Sequence, residues 1–437
     1  MPRGCDDQPQ SGASVSSSSA GFDKAMSGAA RRNNALSLLF FLLTATAFII
    51  RFLITPELMN RVVSYTLEAG AFYEKLHFGT YAVLLLLPLV LLSRPFQLRD
   101  DEIGKFKALV RYCALMLVLV VYMFVTGRAG SSVFLIDTYL VTGAALLVML
   151  ALNPETRRLL GDITLCLLIL SAVVGSVEAV THFRIMPYEA IELTFRPVGL
   201  SEHPLALGAG CATAVSFVAL TRWPVWLRVG AVFLLFVGAA ASGARAALLV
   251  TVLEIFALII LVRWPRLSAR NERRAKLFVV LATAIGGAVM IAILASAGLL
   301  SRFNETLFDE NFFVRVNIYD VFNYVSFNDI MFGMNGADLL KIVQEKLHIP
   351  TIESAQVVIL MLFGLPVALL FAWLVFWMIW RMLRHAELAA WIGVTGTLLA
   401  ALSNNTLSTK NPVVMMMMVL VLAYNSNRPK PLRKTAD

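Results

Sequence analysis

Apolar residues run along this chain in unbroken stretches of roughly 20, the length a helix needs to cross a hydrocarbon core about 30 Å thick. Such stretches lie at about 36–54, 77–93, 108–126, 132–152, 160–181, 203–221, 225–241, 243–262, 277–299, 353–380, 388–403 and 411–425, which makes twelve. Inside a bilayer each segment must satisfy its own backbone groups, so the pattern predicts an all-α polytopic membrane protein with one integral-membrane domain over residues 35–426. Residues 1–34 are rich in Ser, Gly and Ala and read as a disordered tail, while 427–437 read as a short basic tail. The first apolar stretch is longer than a signal-peptide core and has no convincing cleavage site, so it is expected to remain as the first span.

Two interruptions of the pattern stand out. The stretches at 225–241 and 243–262 are parted by little more than Ser242 and Gly243, which predicts a tight turn where a residue without a Cβ fits best. Residues 300–352 form one long connection before span ten, and a connection of that length is usually functional. Within it Val314, Ile318, Val321, Phe322 and Val325 recur at helical spacing among the polar Asn317, Asp320 and Asn328. That spacing predicts an amphipathic helix at the membrane interface, a depth that suits Tyr319, Tyr324 and Phe327.

Composition narrows the class. Of the 437 residues 59% are hydrophobic and 15% charged, against about 25% charged in soluble proteins. With both termini cytoplasmic, 25 of the 37 Lys and Arg fall on the inner side, six of them in 263–276, and this bias places the 300–352 loop outside. The net charge of +9 is accounted for by this topology, so it calls for no nucleic-acid partner. Cys5 lies in the tail and Cys113, Cys166 and Cys211 in apolar runs, which gives neither a disulfide framework nor a metal-ligand spacing. The sequence implies no metal and no cofactor.

The outer cations carry the sharpest chemical signal. Arg196 precedes span six, Arg245 stands at the turn between spans seven and eight, and Arg315 opens the predicted loop helix. Guanidinium groups suit phosphate because their planar fork donates two parallel hydrogen bonds and stays charged when partly desolvated. A lipid pyrophosphate is the natural ligand at that depth. The plainer alternative is a nearby carboxylate partner for each, Glu202 or Asp320 for instance. His77, His182, His203 and His348 also map outside; a lone histidine near a helix end is more often structural than catalytic, and His203 is favoured by its motif. Glu353 opens span ten on the outer side and is the carboxylate best suited to act as a base, although a helix N-terminal Glu is also simply favoured by the helix dipole. Glu254, in the middle of span eight, is an intramembrane charge that either serves function or is protonated and hydrogen-bonded to a neighbouring helix. Met415 to Met418 read as packing.

The chain resembles the O-antigen ligase and polysaccharide polymerase superfamily of bacterial inner-membrane proteins. The carrying residues are Arg196-Pro-Val-Gly-Leu followed by His203-Pro204, the Ser242-Gly243-Ala244-Arg245 turn, Arg315 with its helix, Phe332-Gly333-Met334-Asn335-Gly336, and Gly364-Leu365 after Glu353. The resemblance implies a GT-C-like, metal-independent glycosyltransferase of the inner membrane that works at the periplasmic face on undecaprenyl-pyrophosphate-linked glycans. In that family arginines hold the pyrophosphate, which carries over to Arg196, Arg245 and Arg315. A flippase and a chain-length regulator are the partner proteins it implies. Ligases typically have a His-Asn pair where this chain reads Ile352-Glu353-Ser354, a departure that favours a repeat-unit polymerase with Glu353 or His203 as base over a ligase that transfers finished glycan. A transporter of anionic solutes is the alternative from another class, but no internal repeat supports it.

Overall fold

The computed structural model describes residues 17–67, 70–93, 98–188, 195–264, 267–296 and 310–425. Every regular element among them is helical. The first half comprises α1 (Ser17–Leu53), α2 (Pro56–Asn60), α3 (Phe78–Ser93), α4 (Asp100–Val125), α5 (Ala129–Phe134), a π-helical turn (Leu135–Leu140), α6 (Val141–Leu150) and α7 (Pro154–Thr181). There follow α8 (Pro204–Val218), α9 (Val225–Ala241), α10 (Arg245–Leu261) and α11 (Ala269–Ser296). The chain then runs through α12 (Glu310–Asn317), a 3-10 segment (Ile318–Asn323), α13 (Phe327–Phe332), α14 (Gly336–Leu347), α15 (Ala355–Phe363), α16 (Leu365–Leu383), α17 (Leu388–Leu402) and α18 (Val413–Tyr424).

Among the described residues six helices are long and apolar enough to cross a membrane, and five shorter apolar helices accompany them. This is a membrane-embedded protein. Its centre is made of helices with almost no outer face: α6 and α18 are buried throughout and α8 nearly so. Around them α1, α3 and α4 pack on the α5–α6 side, and α7, α9, α10 and α17 pack on α8. Leu85, Val121, Leu249, Leu369 and Phe376 lie on the outside, a surface suited to hydrocarbon rather than to water. α11 stands at the edge against α10.

Helix α1 begins at Ser17, upstream of the expected start at 35. Extending an existing helix gains one bond per residue fixed, so a Ser- and Ala-rich run can join it without a nucleation cost. Residues 1–16 and 427–437 of the expected tails lie outside the described residues. Two arginines expected to serve as inner topological charge have structural partners. Arg157 pairs with Glu102 and donates to the carbonyls of Leu150 (2.9 Å) and Leu152 (2.8 Å), all buried. Arg158 donates to Leu220 O at 2.8 Å and lies over the Tyr424 ring.

The long loop folds onto the membrane domain. Ile318 and Val321, expected at a lipid interface, instead join Leu339, Val343, Ile349, Val357 and Met361 in a small separate core. Once α14 and α15 offer an apolar surface, burial against protein satisfies the same face. The expected span 353–380 is broken into α15 and α16 at Gly364, whose φ of +78° is one that L side chains rarely adopt. Gly364 lies directly against Met331–Gly333, so that a Cβ there would stand 2.4 Å from Met331 O. Arg128 closes this clasp by donating to Leu362 O at 2.6 Å and Phe332 O at 2.8 Å, while Met334 N–H donates to Met361 O at 2.7 Å. The Phe332–Gly336 and Gly364–Leu365 motifs thus meet as one joint.

Candidate functional site

The segment 195–203 has no regular structure, and a buried carboxylate shapes it. Glu178, in the last turn of α7, accepts the N–H groups of Val198 (2.9 Å) and Gly199 (2.8 Å) on one oxygen and that of Ile185 (3.0 Å) on the other. Gly199 has φ +60°, and a Cβ on it would stand 2.4 Å from Ser171 O. The glycine of Arg196-Pro-Val-Gly-Leu is therefore required by backbone conformation and by close approach to α7. Pro204 then opens α8 in the first-turn position where its missing N–H costs nothing.

This folding delivers Arg196 to the α9–α10 turn. One terminal nitrogen of its guanidinium donates to Ser242 O at 3.5 Å, while its carbonyl accepts two bonds from Arg184, at 3.2 and 2.9 Å. Ser242 Oγ in turn accepts the Ala244 N–H at 3.2 Å, Gly243 turns at φ +65°, and Arg245 begins α10, as the small-residue turn predicts. Arg196 and Arg245, 49 positions apart in sequence, are thus brought to one turn. The N-termini of α8 and α10 lie in the same region and add their partial positive charge. Arg184 stacks between the rings of Tyr188 (4.7 Å) and Phe195 (4.6 Å), an arginine beside Arg196 that the sequence pattern does not single out.

Arg315 and Glu353 form a separate group. Arg315 Nε lies 3.2 Å from Glu353 Oε2 beside the small loop core, so the carboxylate that answers this arginine is Glu353 and not Asp320. Both groups belong to the same end of the bundle. Gln356, in the first turn of α15, donates to Leu402 O at 3.1 Å at the end of α17, and Ala400 of α17 packs with Ala244 and Ala247.

The four histidines expected on the outer side are all placed by helix ends. His182 and His348 adopt left-handed conformations at the C-termini of α7 and α14. His77 and His203 precede α3 and α8, where Nδ1 accepts the N–H of Gly79 (3.0 Å) and of Leu205 (3.1 Å). With Nδ1 engaged as an acceptor, the ring proton of neutral His203 resides on Nε2. Burial, with the Arg196 charge adding to it, pushes His203 down to about 4. At neutral pH it is uncharged, with Nδ1 occupied as an acceptor and the proton on Nε2. Glu254 matches the hydrogen-bonded alternative, since Ser216 Oγ donates to it at 2.6 Å across the α8–α10 contact.

A further polar group beside this region was missed. In the π-helical turn Asp137 accepts the Tyr65 hydroxyl at 2.9 Å and the His77 N–H at 3.2 Å. Lys410 donates to the carbonyls of Tyr65 (2.7 Å) and Lys75 (3.0 Å), and Asn411 donates to Glu202 Oε1 at 2.6 Å. Single π-helical turns within α-helices often mark functional places. The signal was available: Arg51 and Asp137 are ionisable residues inside apolar runs, the criterion that singled out Glu254. The chain matches no protein-family profile and no curated protein.

Proposed function

We propose that the protein is a repeat-unit polymerase of the O-antigen ligase and polysaccharide polymerase type, joining undecaprenyl-pyrophosphate-linked oligosaccharides at the periplasmic face of a bacterial inner membrane. The observation that carries this reading is the meeting of Arg196 with the turn that begins at Ser242 and leads into Arg245. Two guanidinium groups and two helix N-termini at one end of an apolar bundle form a pyrophosphate site at the depth of a lipid headgroup. In this reading the chain crosses twelve times: the six long helices, the five shorter ones and α10 give that number. α1 runs outward and α18 returns inward, so the loop helices α12–α14 are periplasmic.

An acceptor sugar hydroxyl attacks the anomeric carbon of the lipid-linked glycan, and undecaprenyl pyrophosphate leaves. Arg196 and Arg245 stabilise the negative charge that grows on the leaving pyrophosphate, usually the largest contribution in such a reaction. Arg315 holds Glu353 and with it the loop. Of the two bases expected from sequence, His203 is engaged at Nδ1 and Glu353 is held by Arg315.

Deleting the chain from its host and sizing the lipid-linked intermediates tests this function. A polymerase leaves single repeat units on the lipid. Full-length lipid-linked polymer would identify a ligase instead, and an unchanged glycan profile would remove both.

A further inference from the structure

Residues 200–202 and Ala206 form one wall of a cavity whose other walls come from Arg51 and Phe52 of α1, Tyr65, His77 and the 411–413 segment. Its volume of about 30 Å³ fits one water or one hydroxyl group, well short of the roughly 300–1,000 Å³ of a pocket that encloses a whole small molecule. The same stretch that carries Arg196 to the α9–α10 turn thus also builds a small recess beside α1.

Two groups in its wall have unspent hydrogen-bonding capacity. Arg51 is 2% exposed; one terminal nitrogen donates to Asp137 O (3.1 Å) and Lys410 O (2.8 Å), yet its Nε has no hydrogen-bond partner among the described residues. A buried donor left unmatched is costly, so Arg51 has reason to take a polar group from the recess that its side chain lines. Glu202 receives the Asn411 amide on Oε1, and its carboxylate has further lone pairs. A donor and an acceptor lining one recess of this size complement a single hydroxyl, which accepts at oxygen and donates its hydrogen.

We propose that this recess takes the attacking hydroxyl of the acceptor sugar, Arg51 donating to its oxygen and Glu202 removing its proton. The proposal rests on the transferase reading and completes it. The O–H bond breaks with its proton passing to Glu202, and the oxygen's electron pair forms the new bond to the anomeric carbon. The old anomeric C–O bond breaks, and its electron pair leaves with undecaprenyl pyrophosphate. Glu202 then returns the proton to solvent.

The surroundings suit a base that works near neutrality. Burial pushes Glu202 up to about 7, against the opposing effects of the Arg51 charge and the Asn411 bond, while Glu57 adds to the rise. Tyr65 and His77 also face the recess; burial pushes Tyr65 well above its ordinary value and His77 down to about 3, so both stay uncharged. Lys410, behind Tyr65, is lowered by burial to about 8 and titrates on the alkaline side.

The test is the pH–rate profile of polymer formation by the full-length protein in vesicles, supplied with its lipid-linked repeat unit, from about pH 5.5 to pH 8.5. Below about 7 the wild-type rate should climb roughly tenfold per pH unit and then level. Glu202→Gln should lose that limb and about 10²–10⁴ of the rate, with lipid-linked donor binding and inserted protein unchanged. Asn411→Ser keeps an acceptor for the Val413 N–H but drops the bond to Glu202, so its limb should move to higher pH at normal protein abundance. An unchanged limb in both variants, or a limb that disappears in Glu353→Gln instead, overturns the Glu202 assignment and leaves the transferase reading standing. No polymer from wild-type protein at any pH overturns both.

Discussion

Replacing Glu178 separates the scaffold of the 195–203 segment from its chemistry. The carboxylate is fully buried and gathers three backbone N–H groups, at 2.9, 2.8 and 3.0 Å. Hydrogen bonds to a charged group contribute about 1.5–3 kcal/mol each, and an orphaned buried donor costs about 1–3 kcal/mol. Alanine orphans the buried Val198 and Gly199 donors fully and the partly exposed Ile185 donor less so, which gives a cost of about 4 kcal/mol. Glutamine keeps its carbonyl oxygen on Val198 and Gly199 but turns an amide N–H₂ toward the Ile185 N–H, a loss of about 2 kcal/mol. Thermal unfolding of the purified protein in detergent should therefore rank wild type above Glu178→Gln and Glu178→Ala lowest. Polymer formation should fall in the same order, because Arg196 is two positions from the anchored Val198. Wild-type melting of Glu178→Ala would refute the claim that this carboxylate holds the segment.

Further outcomes follow from the same geometry. Arg245→Lys keeps the charge but loses the planar fork, so polymer formation should drop about 10- to 100-fold, the equivalent of one charged hydrogen bond, and Arg245→Ala should drop further; inserted protein, measured in the same cells, should not change. Gly364→Ala must move Met331 O, 2.4 Å from the new Cβ, and accept a left-handed φ, at a cost of about 2–4 kcal/mol read as lower thermal stability and faster proteolysis of the 310–352 loop. Cysteine in place of the exposed Lys341 should react with an impermeant thiol reagent in intact cells, whereas labelling only after membrane disruption would invert the topology. Because burial lowers His77 to about 3, its unfolded form takes up a proton first as the pH falls. Wild-type stability relative to His77→Gln should therefore decline below about pH 6.5, by up to about 1.4 kcal/mol per pH unit.

The long helices were legible because hydrocarbon thickness fixes how many apolar residues must run together. So was the turn at Ser242–Gly243, where two apolar runs leave room for nothing longer. The break at Gly364 was hidden for the converse reason: hydropathy is continuous across it, and only the packing of Met331–Gly333 on that glycine reveals why the helix stops. Motif order suggested that Arg196 and Arg245 lie close together, and one turn now links them. Arg315 was drawn to the same group by its type, yet it pairs with Glu353, a partner 38 positions away that no local spacing indicates. The cluster around Asp137 combines residues from positions 51 to 411. Arg51 and Asp137 stand out within their apolar runs, but Tyr65, Glu202 and Lys410 carry no such mark, and only the fold brings them together.

The most direct measurement of the central claim is product analysis with purified protein in vesicles given only its undecaprenyl-pyrophosphate-linked repeat unit. The predicted result is a ladder of lipid-linked oligomers, with one undecaprenyl pyrophosphate released for each unit added and no ladder from Arg196→Ala or Arg245→Ala. An unextended repeat unit, or a ladder equally strong in both arginine variants, would contradict it.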